Sequence, residues 1–348
     1  MKMFITGGAG FIGSNFILNY IDEHQILNYD KLTYAGNLDN LNSIENHKNY
    51  NFIKGDIQDH NQLYNTILSF KPDVIINFAA ESHVDRSIDG PKEFIKTNIL
   101  GTYELLHCTL NFFKGLDANR KKSFKLLHIS TDEVYGSLKN EGKFTENSSY
   151  APSSPYSASK ASSDHLVKAW YKTFGLPILI TNCSNNYGPY QFPEKLIPLI
   201  ITNCIEGKQL PIYGDGSNVR DWIYVNDHCR AIYKVIQKGK IGETYNIGAN
   251  SELTNLDMVE KVCTIMDIKK PNNSGKSYKE LIHFVKDRPG HDFRYAIDSS
   301  KIELKLGFKI NETIETGLSK TISWYLDNPK WISDIRNKKY NQERLGNI

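Results

Sequence analysis

The chain has 348 residues, 40% of them hydrophobic, which is typical of a globular protein with one large domain or two closely packed ones. Its 42 basic and 39 acidic residues are interspersed and give a formal net charge of +3, so the composition excludes a disordered chain and a broad charged surface for nucleic acid or membranes. Five scattered cysteines without CxxC spacing argue against a disulfide framework or a zinc site, and we predict no metal.

Short apolar runs alternate with longer amphipathic segments through the first half of the chain. This alternation is typical of βαβ units and predicts an α/β fold with a Rossmann-type, doubly wound parallel sheet. The predicted strands are Met3–Thr6, Ile26–Tyr29, Asn51–Lys54, Val74–Phe78, Lys125–Ser130 and Pro177–Asn182, and the predicted helices lie near Gly13–Glu23, Gln62–Phe70, Glu93–Phe113 and Tyr156–Phe174.

Glycine and proline interrupt the alternation beyond residue 185, which indicates a smaller α/β lobe. Two further strand-like runs, Ile223–Val225 and Tyr245–Ile247, indicate that the chain crosses back to the first domain before it completes this lobe, which makes the lobe discontinuous. We therefore assign residues 1–184 and about 219–250 to the Rossmann domain, about 185–218 and 251–335 to the lobe, and 336–348 to a polar tail.

A glycine-rich turn follows the first predicted strand. Gly8, Gly10 and Gly13 match the G-x-G-x-x-G pattern at the start of a helix, where glycines permit a tight turn and the helix N-terminus attracts a pyrophosphate. Asp30 ends the second strand about 20 residues further on, where a carboxylate binds the ribose hydroxyls of NAD. The same charge repels the 2′-phosphate of NADP, although neighbouring Lys31 weakens that exclusion. NAD is therefore the predicted cofactor, and the alternative is that the glycines serve only as turns.

Two further patterns indicate proton chemistry. Tyr156 and Lys160 lie four residues apart on one face of a predicted helix, so the ammonium group and the cofactor can lower the phenol pKa from about 10 and let the tyrosine act as a base. Thr131, Asp132 and Glu133 directly follow the fifth predicted strand, and adjacent carboxyl groups disfavour double ionisation, which suits one acid and one base. The alternatives are two solvated surface residues for the first pattern and a turn cap for the second.

These motifs occur together with others in the order of a known family. With them the chain resembles the extended short-chain dehydrogenase/reductase superfamily, and within it the nucleotide-sugar 4,6-dehydratases, from Met3 to about Trp331. The segments that carry the resemblance are TGGAGFIGSN, YDKLTYAGNL, GDI, AAESHVDRSI, STDEVYG, PYSASK, NNYGPYQFPEKLIPL, LPIYGDGSNVRDWIYVND and DRPGHDFRYAID.

The resemblance implies an NAD-dependent lyase of deoxysugar biosynthesis. It implies that Tyr156, beside Lys160, removes the C4 hydroxyl proton as hydride passes to NAD, while Thr131 hydrogen-bonds the sugar at C4. In the resulting 4-ketone, Glu133 takes the C5 proton as base and protonated Asp132 donates to the departing C6 hydroxyl. Return of hydride to C6 and reprotonation of C5 leave a 4-keto-6-deoxy sugar. The family, and not the residues themselves, indicates which carboxyl group carries the proton.

The resemblance also implies which residues contact the two ligands. The cofactor residues are Gly7, Gly10, Phe11, Ile12, Gly13, Asp30, Lys31, Leu32, Thr33, Asp56, Ile57, Ala79, Ala80, Ser82, Thr97, Tyr156, Lys160 and Asn186. The nucleotide-sugar residues are Ser82, Thr131, Asn185, Lys195, Leu196, Pro211, Ile212, Tyr213, Arg220, Asn255, Arg288 and His291. The two arginines are expected at the pyrophosphate, because their charge is fixed and their donors are forked, and the Pro-Ile-Tyr segment is expected against the base.

The predicted substrate is a nucleoside-diphosphate glucose. The segments DKLTYAGNL, ESHVDRSI and DRPGHD favour the dTDP form over the UDP form. The same reaction on UDP-glucose is the first alternative. A UDP-sugar 4-epimerase is the second, and it has no use for the Asp132–Glu133 pair. A catalytically idle cofactor-binding scaffold is the third, and it would predict damage to the proton-handling residues, all of which are present.

The helices near Asn98–Phe113 and Tyr156–Phe174 match those through which the family forms dimers by a four-helix bundle, although their apolar positions also have an explanation within one chain. The opening MKMFITGGAGF lacks a cleavable signal pattern, and no apolar run reaches the roughly 18 residues that cross a bilayer. We expect a cytoplasmic homodimer with no nucleic-acid or membrane partner.

Overall fold

The computed structural model describes residues 1–339, and side chains as far as Ile335. The strands are β1 (Lys2–Thr6), β2 (Gln25–Asp30), β3 (Tyr50–Lys54), β4 (Val74–Asn77), β5 (Lys125–Thr131), β6 (Ile178–Cys183), β7 (Asn185–Tyr187), β8 (Leu210–Tyr213), β9 (Val219–Tyr224), β10 (Thr244–Ile247), β11 (Glu252–Thr254) and β12 (Ile282–Val285). The helices are α1 (Phe11–Tyr20), α2 (His60–Phe70), α3 (Val84–Asp89), α4 (Pro91–Phe94), α5 (Thr102–Lys114), α6 (Ala118–Ser123), α7 (Pro155–Phe174), α8 (Leu196–Glu206), α9 (Val225–Lys238), α10 (Asn255–Lys269), α11 (Ser300–Leu306), α12 (Ile314–Asp327) and α13 (Pro329–Lys339). Between them lie 3-10 helices at Leu38–Ile44, Asp132–Tyr135 and Tyr278–Leu281 and a π-helix at Ile95–Gly101.

Seven parallel strands form the large sheet in the order β3-β2-β1-β4-β5-β6-β10. This is the doubly wound Rossmann order extended by β10, and the direction of winding reverses between β1 and β4. Alternate residues of β1 face opposite sides of the sheet, so Met3 and Ile5 lie in one hydrophobic core and Phe4 in the other. The predicted Rossmann-type parallel sheet is confirmed, and each strand predicted before residue 185 lies in it.

Both ends of α7 follow from its sequence. Ser154 caps the helix in a capping box with Ser157, and Pro155 occupies the first turn, where its missing N–H removes no helical hydrogen bond. Gly175 ends the helix with φ 69°, a left-handed conformation that favours glycine. The start of α7 is therefore fixed at the residue before the predicted catalytic tyrosine.

The predicted helix Glu93–Phe113 is interrupted in the structure. It consists of the end of α4, the π-helix Ile95–Gly101 and most of α5. A Cβ on Gly101 would lie 2.6 Å from the Cδ1 atom of Ile57, so glycine permits the close contact between the π-helix and the segment after β3. Thr97, one of the predicted cofactor residues, lies within this π-helix. Such helical irregularities are frequent at functional sites.

The lobe has its own small sheets and core. β9 pairs in parallel with β7 and antiparallel with β11, and β8 pairs in parallel with β12. Helices α8, α10 and α12 cover these strands. Their core contains, among others, Ile200, Trp222, Met258 and Leu318. The lobe therefore packs around a hydrophobic core separate from the two cores that flank the large sheet.

The structure corrects the predicted path of the chain between the two parts. The sequence predicts a return to the large sheet at Ile223–Val225, but β9 lies in the small sheet, Val225 begins α9, and only β10 returns. The side chains of β9 are almost all buried, so this strand needs neighbours along both edges, and β7 and β11 provide them. Ile302 and Phe308, assigned to the lobe, pack instead into a core of the large sheet beside α9. The division into two domains stays a prediction.

The polar tail predicted for residues 336–348 begins as the last turn of α13, which runs to Lys339, and residues 340–348 lie outside the described residues. Within residues 1–339, no helix combines the length and the apolar character needed to cross a bilayer.

Candidate active site

A cavity of about 310 Å³ opens at the carboxyl ends of β1, β2, β4, β5 and β6. Doubly wound sheets bind their ligands at this edge, next to the point where the strand order reverses. All the predicted catalytic residues line the cavity, and so do all the predicted cofactor residues except Leu32. Of the predicted nucleotide-sugar residues, Ser82, Thr131, Asn185 and Lys195 line it.

The glycine turn offers a place for a diphosphate. Gly7 has φ 71°, and a Cβ on Gly13 would lie 2.4 Å from the carbonyl oxygen of Gly7, so α1 can pack this closely on the turn only without a side chain there. Gly10 is the N-cap of α1 and has no side chain to cap the helix, which leaves the first amides of the helix to an anionic ligand. The turn therefore fits the pyrophosphate of a dinucleotide. Gly8 packs instead against Asn28, whose Oδ1 atom would lie 2.4 Å from an added Cβ.

Asp30 lies at the end of β2 beside this turn. Its Oδ2 atom accepts a hydrogen bond from the Ala9 amide at 2.9 Å, and its Oδ1 atom accepts one from the Leu32 amide at 2.7 Å. Leu32 therefore binds the carboxylate through its backbone amide, and its side chain does not line the cavity. The φ angle of Leu32 is 57°. Lys31 forms an ion pair with Asp56 at 2.7 Å. The neighbouring lysine charge is therefore already engaged by a carboxylate.

Thr131, Asp132 and Glu133 lie where β5 becomes a 3-10 helix. The hydroxyl of Thr131 accepts a hydrogen bond from the Glu133 amide at 3.2 Å, which makes Thr131 the N-cap of that helix. The same hydroxyl donates to Asp132 Oδ1 at 3.3 Å. The turn cap, considered above as an alternative, is therefore present. It does not exclude chemistry, because the cap also directs both carboxyl groups to the cavity wall.

The two carboxyl groups differ in their electrostatic surroundings. Burial raises the pKa of Asp132 well above its usual value, and the acidic groups of Glu133 and Asp221 raise it further, while the charge of Arg220 and a hydrogen bond from Thr131 oppose this rise. Burial also raises the pKa of Glu133, but the positive charges of Arg288, Lys195 and Arg220 oppose this rise. Asp132 is 1% exposed, and its Oδ2 atom has no hydrogen-bond partner among the described residues. Asp132 is therefore suited to keep a proton, and Glu133 is the group that ionises more readily.

Tyr156 and Lys160 lie in the first two turns of α7 and are both buried. The sequence predicts a lowered phenol pKa for Tyr156; in the structure burial raises that pKa well above its usual value, the carboxyl group of Glu133 raises it further, and a hydrogen bond with Thr131 opposes the change. Lys160 Nζ donates to the carbonyl oxygen of Ile129 at 2.8 Å. Burial lowers the pKa of Lys160, while the charge of Asp164 raises it.

Three cations of the predicted nucleotide-sugar site gather near Glu133 although only Lys195 lines the cavity. Lys195 Nζ donates to the carbonyl oxygen of Ser82 at 3.1 Å. The guanidinium group of Arg220 lies 4.3 Å from the centre of the Tyr295 ring and donates to backbone carbonyl oxygens at 2.8 to 3.3 Å. These contacts keep Lys195 and Arg220 in place without neutralising their charges, so both remain available to a diphosphate.

Arg288 and Tyr213 are brought together by a residue that was not predicted. Arg288 Nη1 donates to Asp85 Oδ1 at 2.7 Å, and the Tyr213 hydroxyl donates to Asp85 Oδ2 at 3.1 Å. Asp85 is 5% exposed and belongs to α3 of the large domain, whereas its two partners come from the lobe. The carboxylate therefore orients both groups that are predicted to contact the nucleotide.

The remaining predicted nucleotide-sugar residues do not line the cavity. Ile212 is 1% exposed and packs in the lobe core, and Leu196 packs against the same core at the start of α8. Asn255 begins α10, and its amide donates to the Asn218 carbonyl oxygen at 2.9 Å. His291 Nδ1 lies 2.7 Å from Asp287 Oδ1, and Pro211 lies in β8. Their predicted contacts with a nucleotide sugar stay predictions.

Sequence reasoning missed a polar cluster at the cavity wall. Glu194 Oε2 accepts from Arg86 Nε at 2.9 Å, and Glu194 Oε1 accepts from the Tyr34 hydroxyl at 3.0 Å. The Arg86 guanidinium lies 3.9 Å from the centre of the Tyr34 ring. Glu194 and Arg86 are 108 residues apart, so no local pattern links them, although both lie in segments that carry the family resemblance. The cluster ties the segment before α8 to the large domain.

One group of side chains with metal-ligand atoms close together occurs among the described residues, outside the cavity. It consists of His60, Glu104 and Cys108, between α2 and α5. His60 Nδ1 lies 2.8 Å from Glu104 Oε2 and 3.5 Å from Cys108 Sγ, so hydrogen bonds already join the three. The absence of a metal from the proposed chemistry stays a prediction.

The sheet order, the glycine turn after β1 and the Tyr156–Lys160 pair beside the end of β5 define an extended short-chain dehydrogenase/reductase. The family model described as GDP-mannose 4,6 dehydratase matches residues 4–321. A dTDP-glucose 4,6-dehydratase from Escherichia coli is 54% identical over 360 aligned positions, which cover 99% of both chains. The chain therefore belongs to the dTDP-glucose 4,6-dehydratase family, as the motifs predicted.

Solved structures agree with this assignment. A dTDP-glucose 4,6-dehydratase from Bacillus anthracis in complex with NAD has a TM-score of 0.85 and 47% identity, and the match covers 96% of this chain and 99% of that one. A dTDP-glucose 4,6-dehydratase from Streptomyces venezuelae with NAD and TYD bound has a TM-score of 0.87 and 42% identity, with 96% and 100% covered.

Proposed function

We propose that the protein removes water from dTDP-glucose to give the 4-keto-6-deoxy sugar, with NAD as a cofactor that is regenerated in each turnover. The single observation that carries the proposal is the contrast between Asp132, buried beside other acids, and Glu133, which faces three cations, both next to Tyr156 at one cavity wall. A 4-epimerase needs only reversible oxidation at C4 and has no use for this pair. The activities named for the relatives support the same reaction.

The cofactor site is proposed from the residues at the strand ends. The turn from Gly7 to Gly13 would bind the pyrophosphate, Asp30 the adenosine ribose, and Asp56 with Ile57 the adenine side of the cavity. When bound there, NAD supplies the acceptor and donor of hydride for the sugar ring. The two solved relatives that were crystallised with NAD support this choice of cofactor.

Tyr156 would take the proton of the C4 hydroxyl, and Thr131 would hydrogen-bond the same oxygen. Because burial and Glu133 raise the phenol pKa, the tyrosine needs a nearby positive charge to act as a base at neutral pH. Lys160 is one helical turn away on the same face of α7 and would supply that charge. Removal of the proton by Tyr156 thus accompanies formation of the 4-ketone.

Elimination would follow because the 4-ketone acidifies the C5 proton. Glu133, the more readily ionised carboxyl group, would remove that proton as general base. Asp132, whose environment favours the protonated form, would donate its proton to the departing C6 hydroxyl, which leaves as water. In this proposal, the adjacent residues Asp132 and Glu133 would provide the protonated acid and the ionised base that a water elimination requires.

The diphosphate of the substrate would lie between the lobe and the large domain. Arg220, Arg288 and Lys195 are the cations near Glu133 that can bind phosphate oxygens. Tyr213 would pack against the base, in the orientation set by its hydrogen bond to Asp85. Because the same cations stabilise the ionised form of Glu133, substrate binding and the acidity of the catalytic base would be coupled.

We also propose a homodimer formed through a four-helix bundle, in which each copy contributes α7 and the π-helix with α5. Tyr103 contacts Trp170 at 5.9 Å between ring centres, and Trp170 contacts Phe174 at 5.4 Å, so apolar surface is continuous across these helices. Such exposed patches are typical of protein interfaces. Large apolar side chains exposed on these helices are Ile95, Leu100, Tyr103, Tyr171 and Phe174.

The dimer is tested by changing Leu100 to glutamate, which places a charge in the patch. Sedimentation velocity should show a dimer for the unaltered protein and a monomer for the variant, while Leu304→Glu, at an exposed position on α11, leaves the dimer intact. A monomer in the unaltered protein contradicts the proposal.

A cytoplasmic location is proposed as well, and the five free cysteines support it.

The reaction is tested with dTDP-glucose and UDP-glucose in parallel, each with added NAD. A 4-keto-6-deoxy product is detected by its absorbance in alkali and by a mass lower by one water. We expect rapid product formation from dTDP-glucose and slow formation from UDP-glucose. The opposite preference would move the assignment to the UDP form, and interconversion at C4 without loss of water would identify a 4-epimerase.

A further inference from the structure

Helix α7 carries a buried ionisable residue that the proposed reaction does not use. Asp164 lies one helical turn beyond Lys160 and is 0% exposed, and Lys160 is 4% exposed. Carboxylates and ammonium groups are almost never buried this deeply unless they are paired or hydrogen-bonded, because each must be removed from water. The two charges therefore require partners inside the protein.

Asp164 is held by donors from neighbouring elements. Its Oδ2 atom accepts from the Ser130 hydroxyl at 2.8 Å, the Tyr150 hydroxyl at 2.9 Å and Asn182 Nδ2 at 3.3 Å. Its Oδ1 atom lies 3.4 Å from His128 Nε2. Burial raises the pKa of Asp164, but these contacts and the charge of Lys160 bring it below its usual value. The residue is thus a carboxylate fixed in one position.

The histidine beside Asp164 does not supply the balancing charge. The Thr6 hydroxyl donates to Asn77 Oδ1 at 2.6 Å, so Asn77 Nδ2 is the donor in its 3.0 Å hydrogen bond to His128 Nδ1. The proton of His128 is therefore on Nε2, which faces Asp164. Burial lowers the pKa of His128 and the charge of Lys160 lowers it further. The hydrogen bond to Asp164 and the charge of Asp164 oppose this, but the pKa stays below its usual value, which favours the neutral ring. Lys160, one helical turn before Asp164 on α7, remains as the deeply buried cation whose charge acts on this carboxylate.

We propose that Asp164 is a positioning residue whose buried carboxylate keeps Lys160 protonated at the active site. Lys160 donates to the carbonyl oxygen of Ile129 and Asp164 accepts from Ser130, so the two side chains are attached to consecutive residues of β5. The proposal rests on the proposed function, in which the charge of Lys160 acts on Tyr156, and on the prediction that Lys160 also contacts NAD. Five other titratable groups interact with this pair. They are His128 on β5, Cys183 on β6, Tyr135 and Tyr150 in the segment between β5 and α7, and Lys168 further along α7.

The sign of the expected pH effect follows from this arrangement. A lysine is charged below its pKa, and Asp164 raises the pKa of Lys160. Replacing Asp164 by asparagine keeps the shape and most hydrogen-bonding positions but removes the charge, so Lys160 should lose its proton at a lower pH. A neutral Lys160 binds the cofactor less well and no longer assists Tyr156.

The first experiment measures the NAD dissociation constant and the rate of 4-ketone formation between about pH 6 and pH 10, the range in which a lysine with a lowered pKa titrates. Asp164→Asn should weaken NAD binding roughly tenfold near pH 8, and the alkaline loss of affinity should begin at a lower pH than in the unaltered protein. Tyr150→Phe is the matched control, because it removes one hydrogen bond to the same oxygen and leaves the charge. Its pH profile should follow that of the unaltered protein.

A second experiment covers the case in which Asp164→Asn does not fold. Combining it with Lys160→Met removes both charges, so no unpaired buried charge remains. This double variant should fold, and its unfolding temperature should be higher than that of Asp164→Asn alone. If the single variant folds, its stability should rise more steeply with pH than that of the unaltered protein, because unfolded Lys160 binds a proton up to its ordinary pKa and folded Lys160 does not.

Two results would overturn the proposal. One is an NAD-affinity profile for Asp164→Asn that coincides with that of Tyr150→Phe. The other is equal loss of folding in the single and double variants, which would give Asp164 a role independent of Lys160. Absence of water loss in the unaltered protein would contradict the proposed function and not this inference, because NAD affinity and thermal stability are measured without the sugar.

Discussion

The two sides of the cavity are built in different ways. On the side of the glycine turn, the cradle is backbone from one continuous segment, Gly7 to Gly13, supported by the carboxylate of Asp30. On the side of the lobe, the groups are side chains from distant segments, such as Arg288, which is 203 residues from its partner Asp85. The first side is sensitive to added volume and the second to altered charge. Glu133 lies between the two sides, and the cations that lower its pKa belong to the second side.

The largest effect is expected where the two sides meet. Glu133→Gln removes the proposed base without changing the size of the side chain, so C4 oxidation should proceed and water loss should slow by about 10²–10⁴-fold. The measurement is rapid-quench mass spectrometry of the sugar with absorbance of the reduced cofactor. Glu141→Gln, an exposed glutamate in the nearby loop, is the matched control and should keep full turnover. Unchanged turnover in Glu133→Gln would refute its role as base.

The backbone side is best tested by volume. Gly13→Ala adds a Cβ 2.4 Å from the Gly7 carbonyl oxygen, whereas Gly10→Ala adds one at 3.3 Å from the same atom. Gly13→Ala should therefore lower the free energy of unfolding by about 1–3 kcal/mol through overpacking, and weaken NAD binding roughly 10–100-fold because the turn is displaced. Gly10→Ala should keep the stability of the unaltered chain. Chemical denaturation and NAD titration give both values, and equal stability of the two variants would show that the contact at Gly13 is unimportant.

The lobe side is best tested by a substitution that keeps the charge of a side chain but changes its shape. Arg288→Lys keeps the positive charge but loses the planar fork that donates to Asp85 and, in the proposed site, would also bind a phosphate. KM for the nucleotide sugar should rise about tenfold, with a smaller change in kcat, because the interaction is made in the ground state and in the transition state alike. Steady-state kinetics measure both. A KM equal to that of the unaltered protein would remove Arg288 from the diphosphate site.

A smaller effect is expected at the edge of the backbone side. Asp30→Asn keeps an acceptor oxygen for only one of the Ala9 and Leu32 amides, and it removes the charge that favours ribose hydroxyls over a 2′-phosphate. NAD binding should weaken by about 1 kcal/mol, roughly fivefold, and the preference for NAD over NADP should narrow. Titrations with both dinucleotides provide the test, and an unaltered preference would contradict the ribose assignment.

Local patterns predicted the parts of this protein that depend on neighbours in sequence. The βαβ alternation, the glycine turn after β1 and the four-residue spacing of Tyr156 and Lys160 are each contained within a short segment, and the structure has the sheet, the turn and the shared helical face. The path of β9 was not predicted correctly, because an apolar strand has the same appearance in sequence whichever sheet it joins.

The sequence by itself determined the fold, the family and most of the residues that line the cavity beside the glycine turn, since these depend on periodicity and on contiguous motifs. Only the tertiary structure gives a physical reason for Asp132 to favour its proton, because Asp221 near Asp132 and the cations near Glu133 come from distant segments. The roles of Asp85 and Asp164 were also visible only in the tertiary structure, because their hydrogen-bond partners lie on other elements of the fold. Electrostatic interactions depend on distance and burial in space, and neither quantity can be read from positions along the chain.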